Sequence, residues 1–115
     1  MVIDINDKTF KTVIFDYSKG TEWKFNGDKP AIIYFYAVWC NPCKMMTPGV
    51  EELSEEYDGK VDFYKVNLDT NVMLVKEFQI TNIPSILFIA MNRMPEMAVG
   101  ALPKKDIEEA IKRIL

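Results

Sequence analysis

The chain of 115 residues contains no histidine and only two cysteines, Cys40 and Cys43. The absence of histidine excludes a Ser-His or Cys-His nucleophile, a histidine metal ligand and a histidine pH switch. Two cysteines without histidine cannot complete a four-ligand structural zinc site, so we expect no metal. This count leaves three possibilities for the cysteines: a structural disulfide, two inert thiols or a redox pair.

The chain also lacks a strong excess of either charge and a long apolar segment. Its 14 basic and 17 acidic side chains give a formal net charge of −3, which provides no electrostatic reason to expect nucleic acid or an anionic membrane as a partner. The longest apolar run, residues 31–40, is well short of the roughly 20 residues that span a bilayer. Because the first residues lack the features of a signal peptide, we expect a cytoplasmic protein, or a periplasmic or other extracytoplasmic one if a signal peptide has been removed.

What is present is a globular composition, with 49% hydrophobic and 27% charged residues. The length suits one domain and is too short for two ordinary ones. We find no repeat, linker or low-complexity segment. We therefore expect residues 1–115 to form a single domain.

Hydrophobic periodicity predicts strands and helices in the order β-α-β-α-β-α-β-β-α. Residues 31–38 are apolar almost throughout, which is typical of a central strand covered by helices on both faces. A first helix is predicted from Asp7, as its N-cap, to residues 19–20, and a second from Pro42 to about residue 57. This order indicates an α/β fold in which helices cover a sheet that ends in an antiparallel hairpin.

The two cysteines lie between the apolar strand and the second predicted helix. A helix N-terminus has unpaired N–H groups and a partial positive charge, which favour a thiolate, the reactive form of cysteine. We expect Cys40, at the end of the strand, to be accessible and Cys43, one turn into the helix, to be less exposed. In this β-α-β context the spacing indicates a redox-active dithiol.

The segment Trp39-Cys40-Asn41-Pro42-Cys43-Lys44 closely resembles the active-site signature of the thioredoxin family, which usually has glycine where this chain has Asn41. The resemblance covers essentially the whole chain, with matches at Pro48 (the helix-kinking proline), residues 65–69 (the third strand and its exit), residues 83–85 (the cis-proline segment) and residues 99–102 (the last strand and turn). It implies a thioredoxin fold, a central mixed five-stranded sheet flanked by four helices.

The resemblance implies a protein-disulfide reductase in which Cys40 attacks a substrate disulfide and Cys43 resolves the mixed disulfide. Pro42 rigidifies the loop, and Trp39 flanks the disulfide. No organic cofactor is implied beyond the redox-active Cys40–Cys43 pair itself. The implied partners are disulfide-containing proteins and an electron donor, either a thioredoxin-reductase-like protein or a membrane protein, and we expect a monomer.

An apolar substrate-binding patch is also implied by the resemblance. The Ile83–Pro84 peptide bond is expected to be cis, which leaves the backbone groups of Ile83 free to pair with an extended peptide. The complete patch consists of Ile83, Pro84, Val99, Gly100 and Ala101, together with Trp39 and Pro42.

Two positions depart from the family pattern. Tyr34 stands where the family usually has a buried aspartate, and tyrosine is a poor base at neutral pH. We therefore expect the proton of Cys43 to pass to water or to Lys65, which matches a nearby lysine of the family. Asn41 replaces glycine, and its amide is expected to hydrogen-bond the Cys40 thiolate and make the disulfide easier to reduce.

Two alternatives to a reductase remain open. The first is a disulfide oxidant or isomerase with the same motif. The second is a thioredoxin-fold binding module, although such modules often lose one cysteine and this chain has both. The loop at residues 21–30 is longer than in the shortest thioredoxins and either contacts a partner or covers the sheet edge. Trp23 and Phe25 are expected to hold it against the body.

Overall fold

The computed structural model describes residues 1–20 and 22–115 of the chain. Within these residues five strands form one mixed sheet in the order β1-β3-β2-β4-β5. Strands β1 and β2 run parallel to β3, whereas β4 is antiparallel to β2 and β5 is antiparallel to β4. The strands are β1 (Val2–Asp4), β2 (Ala31–Tyr36), β3 (Asp62–Asn67), β4 (Ser85–Ile89) and β5 (Glu96–Val99).

The described part of the chain also contains four α-helices, and a short 3-10 helix (Leu68–Thr70) precedes the third of them. The predicted order of elements and the mixed five-stranded sheet are therefore confirmed. Among residues 1–20 and 22–115, no helix is long and apolar enough to cross a bilayer. The helices are α1 (Asp7–Val13), α2 (Asn41–Glu56), α3 (Val72–Glu77) and α4 (Lys104–Ile114).

Strand β2 lies at the centre of the sheet, between β3 and β4. Its residues from Ala31 to Phe35 are at most 2% exposed. Because successive side chains of a strand point to opposite faces, Ile32 and Tyr34 enter the core formed with α2 and α4, whereas Ile33 and Phe35 enter the core formed with α1 and α3. Burial on both faces explains why polar and apolar residues do not alternate along this strand.

The start of helix α1 differs by one residue from the prediction. Asn6, not Asp7, is the N-cap, because the Asn6 side chain accepts hydrogen bonds from the backbone N–H groups of Lys8 and Thr9. The Thr9 hydroxyl accepts in turn from the Asn6 N–H, which completes a capping box. The Asp7 side chain is thereby free to accept a hydrogen bond from the backbone N–H of Leu74 in α3 at 2.9 Å.

The predicted end of helix α1 at residues 19–20 is wrong, since the helix ends at Val13. The Asp16 side chain accepts a 3.1 Å hydrogen bond from the backbone N–H of Ser18. Such a local side-chain bond offers the backbone an alternative to the helical ladder. Residues 16–18 therefore form a turn although the apolar spacing continues through Tyr17.

The loop that follows α1 packs against the body of the protein through its aromatic side chains. Trp23 and Phe25 are both partly buried against the core formed with α1 and α3, as predicted. The ring of Trp23 lies 4.9 Å from that of Phe15, measured between centroids. The Asn26 N–H donates to the carbonyl of Ile14 at 2.8 Å. Thr21 lies outside the described residues, and the role of this loop remains a prediction.

Candidate active site

Cys40 and Cys43 form a disulfide at the N-terminus of helix α2. Cys40 is the N-cap residue, and its sulfur accepts a 3.2 Å hydrogen bond from the backbone N–H of Cys43. Pro42 lies in the first turn, where a residue without an N–H is tolerated because that group would have no helical partner. The central strand and the start of the longest helix thus position both sulfurs.

The electrostatic environment of the pair follows from its place on the helix. The backbone dipoles of the 16-residue helix α2 produce a partial positive charge at its N-terminus. The first turn carries Asn41, Pro42 and Lys44, which are neutral or basic side chains. Both features favour a thiolate at the N-cap once the disulfide is reduced.

The exposure of the cysteines differs in part from the prediction. Cys43 is the less exposed of the two, at 1%, but Cys40 is also buried, at 4%. The Cys40 sulfur points toward the Cys43 N–H and belongs to the core formed with α2 and α4 rather than to the surface. The exposed positions are instead its neighbours, including Val38 at 62% and Trp39 at 64%.

Trp39 is anchored by a residue that the sequence did not identify as part of the site. Its indole N–H donates a 2.9 Å hydrogen bond to the carboxylate of Asp69, in the 3-10 helix after β3. Tyr36 and Asn67 are register partners at the ends of the parallel strands β2 and β3, so the residues that follow them meet at the same edge of the sheet. That register, which the sequence pattern does not determine, is what brings Asp69 to Trp39.

The residues of the predicted substrate patch come together at the same edge. Phe35 pairs with Ser85, and Ser85 pairs with Val99, so the end of β2, the start of β4 and the end of β5 lie side by side. The Gly100 N–H donates to the carbonyl of Pro84 at 2.8 Å, which joins two segments of the patch. Val99 is 61% exposed, whereas Pro84 is buried.

The peptide bond between Ile83 and Pro84 is cis, which confirms the prediction. Ile83 is half-buried and Ala101 is exposed. Asn41, the position that departs from the family signature, is exposed as well. Its expected hydrogen bond to the Cys40 thiolate concerns the reduced protein and remains a prediction.

Tyr34 is buried beneath the start of helix α2, with 2% of its surface exposed. Its hydroxyl donates a 2.7 Å hydrogen bond to the backbone carbonyl of Cys43. The Thr47 hydroxyl donates to the same carbonyl at 2.9 Å. Burial raises the pKa of Tyr34, and the Thr47 hydroxyl beside it partly offsets this effect. Tyr34 is thus a neutral donor to the backbone of the second cysteine.

Lys65 lies beside Tyr34 in the register of β2 and β3 but has other polar partners. Its ammonium group is 3.8 Å from a carboxylate oxygen of Asp4 and 5.8 Å from the centroid of the Tyr36 ring. A cavity of about 60 Å³, large enough for a water molecule, separates these groups from α2. Its lining residues are Val2, Tyr34, Tyr36, Thr47, Val50, Glu51 and Lys65.

The described residues contain no group of three or more acidic or cysteine side chains that could hold a metal ion. The chemistry that this edge of the sheet offers comes from the Cys40–Cys43 disulfide, which can alternate with a dithiol. Thiol–disulfide exchange requires a thiolate and a second sulfur within reach, and the pair at the start of α2 supplies both.

Comparisons with known proteins agree with the fold and with the site. A family model described as Thioredoxin matches residues 2–113. The chain is 42% identical over 112 residues to a thioredoxin of Borreliella burgdorferi, covering 97% of this chain and 96% of that protein. It is 36% identical over 112 residues to a thioredoxin of Haemophilus influenzae, covering 97% and 95%.

Among solved structures, chloroplastic thioredoxin z is similar in fold, with a TM-score of 0.81 at 28% identity. The superposition covers 98% of this chain and 93% of that one. Members of the matched family exchange thiols and disulfides with proteins and need no cofactor beyond their redox-active disulfide. A match over nearly the full length, with both cysteines in place, shows that this chain belongs to the thioredoxin family of thiol–disulfide oxidoreductases.

Proposed function

We propose that this protein reduces disulfides in other proteins, with Cys40 as the nucleophile and Cys43 as the resolving thiol. The Cys40 thiolate attacks one sulfur of the substrate disulfide and releases the other as a thiolate. Cys43 then loses its proton and attacks the Cys40 sulfur, which releases the second substrate sulfur. The substrate gains two electrons, and the Cys40–Cys43 disulfide forms.

The observation that carries this assignment is the position of Cys40 as the N-cap of helix α2. A sulfur at the N-cap faces the positive end of the helix, and the residue before Cys40, Trp39, is exposed. Cys43 is one turn deeper and almost fully buried. An incoming disulfide therefore reaches Cys40 first.

Water is the most direct acceptor for the proton of Cys43. The Tyr34 hydroxyl donates its own proton to a backbone carbonyl, and its raised pKa opposes ionisation. The cavity beside Tyr34 and Thr47 has room for a water molecule. Lys65 lines the same cavity, which supports the proposal that it assists this transfer.

The substrate is proposed to dock as an extended peptide along the patch formed by Ile83, Pro84, Val99, Gly100, Ala101, Trp39 and Pro42. Three loops bring these residues to one edge of the sheet. Exposed Trp39 and Val99 provide apolar surface on either side of the disulfide segment. Backbone groups of the loops provide hydrogen bonds to an extended chain.

The proposed function also implies the partners of the protein, its oligomeric state and its location in the cell. Family membership supports disulfide-containing protein substrates and a reductase that returns electrons to the disulfide. We further infer that this donor resembles thioredoxin reductase or is a membrane protein, and that residues 1–115 act as one monomeric domain. A cytoplasmic location, without nucleic acid or metal, fits these partners.

The experiment is reduction of insulin disulfides with dithiothreitol as the electron source. The wild type is expected to accelerate insulin reduction, and Cys40→Ser to abolish the acceleration. Cys43→Ser retains the nucleophile and should accumulate a mixed disulfide at Cys40, detectable by mass spectrometry. Full activity in Cys40→Ser, or a mixed disulfide at Cys43 in that variant, would contradict the assignment of Cys40 as the nucleophile. A wild type that does not accelerate insulin reduction would favour a binding module.

A further inference from the structure

Tyr34 connects the central strand to the backbone of the resolving cysteine. Its hydroxyl donates to the Cys43 carbonyl at 2.7 Å, and the Thr47 hydroxyl donates to the same oxygen at 2.9 Å. The two hydroxyl oxygens are 3.2 Å apart. One carbonyl therefore receives one side-chain hydrogen bond from the sheet and one from the next turn of helix α2.

The position of this carbonyl along α2 gives the contact its importance. Pro48 has no backbone N–H, so the carbonyl of Lys44, the residue after Cys43, receives no helical hydrogen bond. Because this bond is missing, the first turn of α2 is attached less firmly to the rest of the helix. The Tyr34 hydroxyl attaches that turn to the rigid central strand instead.

We propose that Tyr34 is a positioning residue for the second chemical step, in which it holds the Cys43 backbone, together with Thr47, so that the Cys43 sulfur reaches Cys40. The role rests on the proposed reductase function, because only a mixed disulfide has to be resolved. The Tyr34 hydroxyl hydrogen-bonds the Cys43 backbone carbonyl and not a sulfur. It acts through the peptide group that carries the resolving thiol.

The chemistry explains why such an anchor matters in this step. In the mixed disulfide Cys40 is bonded to the substrate, so no covalent bond keeps Cys43 near it. The Cys43 thiol gives its proton to water, its sulfur bonds to the Cys40 sulfur, and the substrate leaves as a thiolate. The rate depends on how often the two sulfurs are within reach and aligned. Attack by Cys40 on a substrate does not require the Cys43 sulfur to be within reach, and it depends on the Cys43 backbone only through the N–H that hydrogen-bonds the Cys40 sulfur.

The surroundings of Tyr34 keep its hydroxyl in the donor form. The side chain is 2% exposed, and burial raises the pKa of Tyr34 above its ordinary value. An ionised tyrosine would bring a negative oxygen against the Cys43 carbonyl. The anchor is therefore present throughout the neutral pH range in which the exchange takes place.

Ellman's reagent, a small aromatic disulfide, separates the two steps. Attack by Cys40 on the reagent releases one thionitrobenzoate, and resolution by Cys43 releases a second, so stopped-flow absorbance measures both rates. Tyr34→Phe removes the hydroxyl but keeps the ring. It is expected to slow the second release about three- to tenfold, as for the loss of one buried hydrogen bond, and to slow the first release less than the second. Thr47→Val should act in the same direction, and Thr47→Ser should restore the wild-type rate.

The matched control is Tyr57→Phe, at the C-cap of helix α2. The Tyr57 hydroxyl donates a 2.8 Å hydrogen bond to the Glu108 carboxylate, so this variant also loses one side-chain hydrogen bond, but not one to the Cys43 carbonyl. This variant should resolve at the wild-type rate. Because the ratio of the two phases is measured on folded protein, a loss of stability alone does not change it.

A second phase that is equally fast in wild type, Tyr34→Phe and Thr47→Val overturns the positioning role. If Tyr34→Phe does not fold, the comparison of Thr47→Val with Thr47→Ser decides, and equal second phases in those two variants overturn it. A wild type that releases a single thionitrobenzoate, or none, contradicts the proposed reductase function instead.

Discussion

The indole N–H of Trp39 donates a 2.9 Å hydrogen bond to the carboxylate of Asp69, which joins the loops that follow β2 and β3. Trp39 is 64% exposed, so burial alone does not fix its ring. The bond to Asp69 therefore determines where the largest apolar side chain next to Cys40 lies when a substrate approaches.

Removal of the hydrogen bond between Trp39 and Asp69 should weaken the binding of protein substrates more than the reaction with small disulfides. Asp69→Ala is expected to raise the KM for insulin reduction about two- to tenfold, because the ring must be ordered at the moment of binding. Its reaction with Ellman's reagent, which needs little docking surface, should be unchanged. Asp69→Asn keeps an oxygen acceptor and serves as the control, with a KM near that of the wild type. Equal KM values for insulin in Asp69→Ala and wild type would contradict this role.

Asp7 is expected to stabilise the protein without affecting its chemistry. The N-cap of α3, Asn71, makes no side-chain capping bond, and the Asp7 side chain supplies one to the Leu74 N–H from another part of the chain. Asp7→Ala should lower the free energy of unfolding by about 0.5–2 kcal/mol, measured by urea denaturation. Asp58→Ala, at an exposed position, should be nearly neutral. Asp7→Ala should reduce insulin at the wild-type rate, and a slower rate would refute a purely structural role for Asp7.

Gly100 lies in the proposed substrate patch, and its backbone conformation also affects stability. Its φ of +101° is a conformation that side chains with a Cβ rarely adopt, although the space around it is open. Gly100→Ala should therefore lower the free energy of unfolding by about 1 kcal/mol. It should also shift the segment that hydrogen-bonds Pro84, and this shift should slow insulin reduction.

Gly59 provides the matched control for this substitution. It has a φ of +81° and open space around its Cα, and it lies just after α2, far along the chain from the patch. Gly59→Ala should lose a similar amount of stability and keep full activity. An equal loss of activity in both variants would show that stability, not the patch, governs the rate.

Alkaline pH should destabilise the protein through Tyr34. Burial raises its pKa in the folded state, so above about pH 10 the hydroxyl ionises in the unfolded chain while it stays protonated in the folded one. Stability is therefore complete below the ordinary tyrosine pKa and falls as pH rises toward the folded-state pKa. The decline in unfolding free energy should be shallower in Tyr34→Phe than in wild type. Parallel pH profiles for the two proteins would contradict this contribution.

The sequence identified those parts of the fold and site that depend on local pattern. The apolar run that begins at Ala31 predicted the central strand because burial on both faces removes polar alternation. Cys40 and Cys43 were located at the start of α2 because a strand, a dithiol and an amphipathic segment follow one another directly in the chain. The cis bond before Pro84 came from the family resemblance, since spacing alone could not supply it.

Contacts between distant segments could not be predicted in the same way. Trp39 and Asp69 meet only through the register of two parallel strands, which periodicity does not determine. Asp7 was expected to cap its own helix, but its carboxylate accepts a hydrogen bond from the Leu74 N–H in α3, while Asn6 caps α1. Tyr34 was recognised as a departure from the family, but its hydrogen bond to the Cys43 carbonyl depends on how α2 packs on the sheet.

The reduction potential of the Cys40–Cys43 pair tests the reductase assignment most directly. The protein would be equilibrated in defined thiol–disulfide buffers, its free thiols alkylated, and the oxidised fraction measured by mass spectrometry. A reductase predicts a potential near about −270 mV, the value typical of thioredoxin. A potential between about −180 and −120 mV, typical of isomerases and oxidants, would contradict the assignment and indicate a protein that makes disulfides.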